Sequence, residues 1–132
     1  MKVVLDTNIL VSGALFGGVP EKIIDQWMGG RIEVVASPSI IEEYTRVLEI
    51  FLKRSGRPLS LIAAVTEKCR IISDSHQHIK ICRDPDDDKF ISCALVAGAT
   101  YVVSGDKDLL TIGRFGSVKI IKPAPFLDLI KP

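Results

Sequence analysis

The chain has 132 residues, 47% of them hydrophobic, 25% charged and 6% aromatic, with a formal net charge of +1. This is enough apolar matter for one core, and no apolar run approaches the ~20 residues of a membrane helix. With 17 basic against 16 acidic residues, a basic nucleic-acid footprint over the whole surface is excluded, so any contact with a polyanion has to be local.

In chain order, Lys2 to Leu5 reads as a strand that ends on Asp6, and Thr7 and Asn8 interrupt before Ile9-Leu10-Val11 resume the apolar pattern. Val19 to Met28 reads as a helix, with Pro20 in its first turn and Gly29-Gly30 after its end. Ile32 to Ala36 follows as a second strand. Ser37-Pro38-Ser39 opens a long helix in which Ile40, Ile41, Tyr44, Val47, Leu48 and Phe51 recur at helical spacing, until Gly56 and Pro58 stop it. Leu59 to Ile72 fits another helix and His78 to Cys82 a short strand. Asp86 to Ala97 fits an apolar helix ended by Gly98, Tyr101-Val102-Val103 a buried strand, and Val118 to Ile121 a last strand.

No linker, repeat or low-complexity tract divides this alternation. The expectation is one α/β domain over residues 1–132, with a central, mainly parallel sheet of about five strands and helices on both faces. Such sheets bind ligands just beyond the carboxyl ends of their strands. No N-terminal stretch pairs a basic region with a long apolar run, which points to an unexported, cytoplasmic protein without membrane contact. Cys69, Cys82 and Cys93 are odd in number, form no C-x-x-C pair and lie in apolar or strand-like surroundings, as free thiols do.

The predicted carboxyl edge of the sheet collects acids. Asp6 follows the first strand, and Asp106 follows Tyr101-Val102-Val103-Ser104-Gly105 in the equivalent place. Glu42 and Glu43 lie early in the long helix, which starts near the same edge. In CRDPDDDKFISCAL, Asp84 and Asp86 to Asp88 lie at the start of an apolar helix, again at that end. Each has a bland explanation: Ser39-Ile40-Ile41-Glu42 fits a capping box, and acids in a first turn complement the helix dipole. Capping does not need all of them. Several carboxylates around one edge repel each other unless cations neutralise them. An all-oxygen acidic site suits Mg²⁺ or Mn²⁺, and no Cys/His cluster calls for zinc.

VLDTNIL near the start, SP followed by an acid-bearing helix, DPDDDKF leading an apolar helix, and SGDKDLL after a strand occur in one order and spacing over almost the whole chain. In this the sequence resembles the PIN-domain family, of the VapC-like kind that forms the toxin component of prokaryotic toxin–antitoxin pairs. The resemblance implies a metal-dependent endoribonuclease that hydrolyses RNA with one or two Mg²⁺ or Mn²⁺ ions. It also implies a homodimer and a cognate antitoxin protein. Carried over position by position, the catalytic and metal-binding acids fall on Asp6, Glu43, Asp88 and Asp106. Thr7, Asn8 and Ser104 become supporting polar groups, Asp87 an outer-sphere group and Asp108 an outer acid.

Within DPDDDKF, Asp84 is placed to cap the helix with Pro85 in its first turn, and periodicity alone separates Asp87 from Asp88 no further. The tie is broken by the family's acid, which comes two residues before the first large apolar residue of this helix, here Phe90. Arg46, Lys53, Arg54 and Arg57 run along and past the long helix and are candidate phosphate contacts. His76 and His78 lie in a polar stretch and read as solvated, non-catalytic groups, and no Ser-His or Cys-His arrangement recommends a nucleophilic enzyme. Two alternatives come from other classes. One is a PIN-type module that binds RNA or protein without cutting. The other is a receiver-like phosphoacceptor domain, hinted at by Ile120-Ile121-Lys122-Pro123 but lacking the adjacent acids after the first strand. An EF-hand fails, because Lys89 holds the loop's glycine position and Leu95 that of its closing glutamate.

Overall fold

A computed structural model describes residues 1–74 and 82–131. Its frame is a six-stranded sheet in the order β3-β2-β1-β4-β6-β5, built from β1 (Lys2–Leu5), β2 (Glu33–Ala36), β3 (Arg70–Ile71), β4 (Tyr101–Val103), β5 (Arg114–Phe115) and β6 (Val118–Ile121). All neighbours run parallel except the β5–β6 pair. The central strands are buried almost end to end, with Val3, Val4, Leu5, Val34, Val35, Val102 and Val103 fully enclosed. That is why they read as continuous β-branched and aliphatic runs rather than as alternating ones.

Among the described residues seven α-helices connect and cover the sheet: α1 (Thr7–Phe16), α2 (Gly18–Met28), α3 (Pro38–Arg54), α4 (Ser60–Lys68), α5 (Asp88–Ala97), α6 (Lys107–Ile112) and α7 (Pro123–Ile130). Among the described residues no helix is long and apolar enough to cross a membrane. The helix predicted over Leu59 to Ile72 stops at Lys68, and Arg70–Ile71 instead adds the edge strand β3 beside β2. The predicted strand over His78 to Cys82 falls outside the described residues but for Cys82. Asp86 to Ala97 divides into a 3-10 turn, Pro85–Asp87, and α5 proper, which ends on Gly98 in the left-handed conformation that glycine adopts freely.

The capping box expected at Ser39 is not formed. Ser37 is the N-cap of α3 and accepts from the Ile40 amide at 3.4 Å, while Pro38 occupies the first helical position. Ser39 donates to Asp74 instead, and Glu42 pairs with Arg46 one turn on. Gly13 has a packing role: a β-carbon there would lie 2.5 Å from Ile24 Cδ1, so its absence lets α2 pack closely on α1. Cys69 and Cys93 are buried, Cys82 is half-buried, and all three are free.

Candidate metal centre

Parallel strands present their carboxyl ends on one side, and here β1 and β4 are hydrogen-bonded neighbours. The Asp6 amide donates to the Val103 carbonyl and the Ser104 amide to the Ile121 carbonyl, each at 3.0 Å, so the ladder holds both residues as they leave the sheet. Asp6 is 5% exposed, and Oδ2 of its carboxylate accepts from Ser104 Oγ at 2.6 Å. Burial raises the Asp6 pKa above the ordinary carboxylate value. The Ser104 hydroxyl and the nearby Asn8 amide oppose that shift, and the charges of Asp106 and Glu43 add to it.

Ser104 serves a second acid as well. The Asp106 amide donates to Ser104 Oγ at 3.0 Å, and Asp106 Oδ1 accepts from the Asp108 amide at 3.0 Å as the N-cap of α6. From the other side, α3 delivers Glu43, whose register is set by its neighbour: the fully buried Tyr44 hydroxyl donates to the Leu5 carbonyl, immediately before Asp6. Glu43 Oε2 accepts from Thr7 Oγ1, and Oε1 is paired with Lys89 Nζ at 2.7 Å.

The result is a cleft of about 330 Å³ lined by Asp6, Thr7, Asn8, Glu43, Val47, Asp84, Asp86, Asp87, Phe90, Asp106 and Asp108, with no Lys or Arg among the described residues of the lining. Asp88 is not part of it. Its carboxylate accepts from the Cys82 amide at 2.7 Å, and it is 9% exposed. Burial and that carboxylate push the Cys82 thiol up to about 12. The sequence-based choice of Asp88 over Asp87 as the cleft acid therefore differs from the geometry. The 3-10 turn carries Asp87 to the cleft before the α-helical register begins at Asp88.

Asp87 is in close company. Its pKa is pushed up to about 7, first by burial and then by the neighbouring carboxylates of Asp106, Asp6 and Asp84. Asp87, Asp106 and Asp108 each offer an oxygen, and these lie within 4.8 Å of one another. A donor set made only of carboxylates fits a hard divalent cation, which would offset the repulsion among them.

Residues 2–108 match the family described as PIN domain. The chain is also 33% identical over 118 residues to Uncharacterized protein MJ1680 of Methanocaldococcus jannaschii, a stretch covering 85% of this chain and 75% of the relative. The chain belongs to the PIN-domain family. PIN domains are generally metal-dependent nucleases, and this PIN domain carries an acidic cluster suited to that chemistry.

The basic candidates of the long helix sit elsewhere. Arg46 and Lys53 line a hollow of about 550 Å³ with Glu42 and Glu49, their exposed ion-pair partners at 3.1 and 2.7 Å. Arg57 donates to the Leu15 carbonyl at 3.0 Å and so ties the end of α3 to α1. Two contributors to this PIN domain's cleft went unread in the sequence. Tyr44 looked like a core residue only. Lys89 carried a signal in being the one cation inside DPDDDKF, next to acids that need one.

Proposed function

We propose that the chain is a Mg²⁺- or Mn²⁺-dependent endoribonuclease whose domain spans residues 1–132, and that it serves as the toxin of a toxin–antitoxin pair. The observation that carries this reading is the meeting of Asp87, Asp106 and Asp108 oxygens within 4.8 Å at the mouth of an acidic cleft. A divalent ion there supplies an activated water and positive charge toward a phosphate. In this reading Asp87, Asp106 and Asp108 hold the ion, with Asp6 completing the negative wall.

Three of the cleft's carboxylates, Asp6, Asp106 and Glu43, are held by their neighbours. Ser104 fixes Asp6 and the Asp106 backbone together, the Asp108 amide fixes Asp106, and Thr7 fixes Glu43. Such support determines how precisely ligands are presented. The cleft shares Asn8 and Asp106 with a second hollow of about 560 Å³ lined also by Ile9, Ser12, Pro20, Gly105 and Pro123. A single RNA strand is proposed to lie along these two hollows, across the acids. Arg46, Lys53 and Arg54 are proposed to meet phosphates of RNA that extends beyond the cleft along α3, since exposed pairs such as Arg46–Glu42 are weak. A homodimer and an antitoxin that covers the cleft complete the proposal.

The test is incubation of labelled RNA with the purified protein and Mn²⁺, beside an Asp106→Asn variant prepared identically. Cleavage by the former and not the latter supports the reading. RNA that is bound but left intact by the metal-loaded protein would instead establish a non-cleaving binding module.

A further inference from the structure

We infer that Lys89 is a built-in counter-cation of the cleft, holding at Glu43 the place a second divalent ion would take, so that this chain loads one ion. The inference rests on the metal-dependent reading above and deepens it.

Both oxygens of Glu43 are committed, Oε2 to the Thr7 hydroxyl and Oε1 to the Lys89 ammonium at 2.7 Å. The pair is sheltered: the two side chains are 23% and 17% exposed, against 56% and 66% for Arg46 and Glu42. Among the described residues, Lys89 is the only basic group ion-paired with a carboxylate of the cleft. Its ammonium also lies 5.7 Å from the ring centroid of Phe90, which is 1% exposed and itself lines the cleft, so the cation has a second fixed neighbour.

The group of acids whose oxygens converge leaves Glu43 out. In a two-metal site the ions stand about 3.5–4 Å apart and share an acidic wall between them. Here the wall is divided. Asp87, Asp106 and Asp108 face one another, and Glu43 faces an ammonium. A second ion would have to displace that ammonium and leave Lys89 with no carboxylate in a partly buried place, which is unfavourable. A lysine already positioned offers a single charge without recruitment from solution.

The experiment counts ions rather than turnover. Mn²⁺ is titrated into the full chain and free Mn²⁺ is read by electron paramagnetic resonance, for the natural protein and for Lys89→Gln, Lys89→Arg and Glu43→Gln. Melting in EDTA confirms that each variant is folded. The expected counts are one ion for the natural protein, one for Lys89→Arg, one for Glu43→Gln, and two for Lys89→Gln. The second ion of Lys89→Gln disappears when Glu43→Gln is added. Two ions on the natural protein, a single ion on folded Lys89→Gln, or loss of the ion in Glu43→Gln each overturns the inference. If Lys89→Gln does not fold, the counts for the natural protein and Glu43→Gln decide. No Mn²⁺ on any of them overturns the metal reading itself, and the inference with it.

Discussion

The Cys82 amide donates to Asp88 Oδ1 at 2.7 Å, while the preceding residue, Asp87, lines the acidic cleft. Two consecutive acids of one motif thus have different surroundings, Asp88 beside the chain that leads into α5 and Asp87 among the acids of the cleft.

Substitution separates the two. Asp87→Asn is expected to weaken Mn²⁺ binding by at least about tenfold with little loss of stability, because it removes a charge that burial and Asp106 already disfavour. Asp88→Ala leaves the Cys82 amide without this acceptor and should cost about 1–3 kcal/mol. Its Mn²⁺ affinity should change far less than that of Asp87→Asn. Calorimetric melting and Mn²⁺ titration of both variants check this, and the reverse pattern restores Asp88 as the cleft acid.

The same motif shows what the sequence could and could not reveal. The parallel core was legible because β1, β2, β4 and β6 are short runs of aliphatic and β-branched residues bounded by caps and turns. That Asp6 and Asp106 leave strands at one edge was legible in the strand pattern, whereas Glu43 was selected over Glu42 by the family resemblance. The choice between Asp87 and Asp88 was not legible, since it depends on where a 3-10 turn hands over to an α-helix, and a one-residue difference swings a side chain by roughly 100°. α1 was hidden for another reason: Thr7, Ile9, Leu10 and Val11 are all buried, so it shows no polar stripe and resembles a strand. α7 begins with Pro123 and Pro125, which look like breakers but occupy a first turn where no amide needs a partner. The partnership of Lys89 and Glu43, 46 residues apart, is a product of packing α5 beside α3.

Metal-free stability should depend on pH through Asp87. Its folded pKa, about 7, lies above the ordinary 3.8, so the native state keeps a proton that the unfolded chain has lost. Stability therefore falls as pH rises from about 4 to about 7, and the loss is complete above that window. Melting temperatures in EDTA, compared between the natural protein and Asp87→Asn, should diverge across that interval. Parallel curves would remove Asp87 as the cause.

Asp106→Asn retains a good N-cap for α6 but loses the charge, so it should melt within about 1 kcal/mol of the natural protein and fail to cleave RNA. Asp106→Ala should lose the cap too, at a cost of about 1 kcal/mol. Melting and cleavage assays on the pair distinguish charge from capping. Cleavage retained by Asp106→Asn would contradict the ligand role.

Ser104→Ala removes the donor that holds the Asp6 pKa down against burial. Asp6 then takes up its proton at a higher pH, so the acid limb of the cleavage profile should move to higher pH. A rate profile measured at saturating Mn²⁺ reads this shift. An unchanged acid limb would show that Asp6 does not govern it.

The central claim is that the acidic cleft cuts RNA only when a divalent cation neutralises it. The most direct measurement follows RNA cleavage by one preparation through Mn²⁺ loading, excess EDTA and Mn²⁺ restoration. Cleavage that appears with the ion, stops on chelation and returns on restoration is the predicted result. Cleavage that continues undiminished after exhaustive chelation would contradict it.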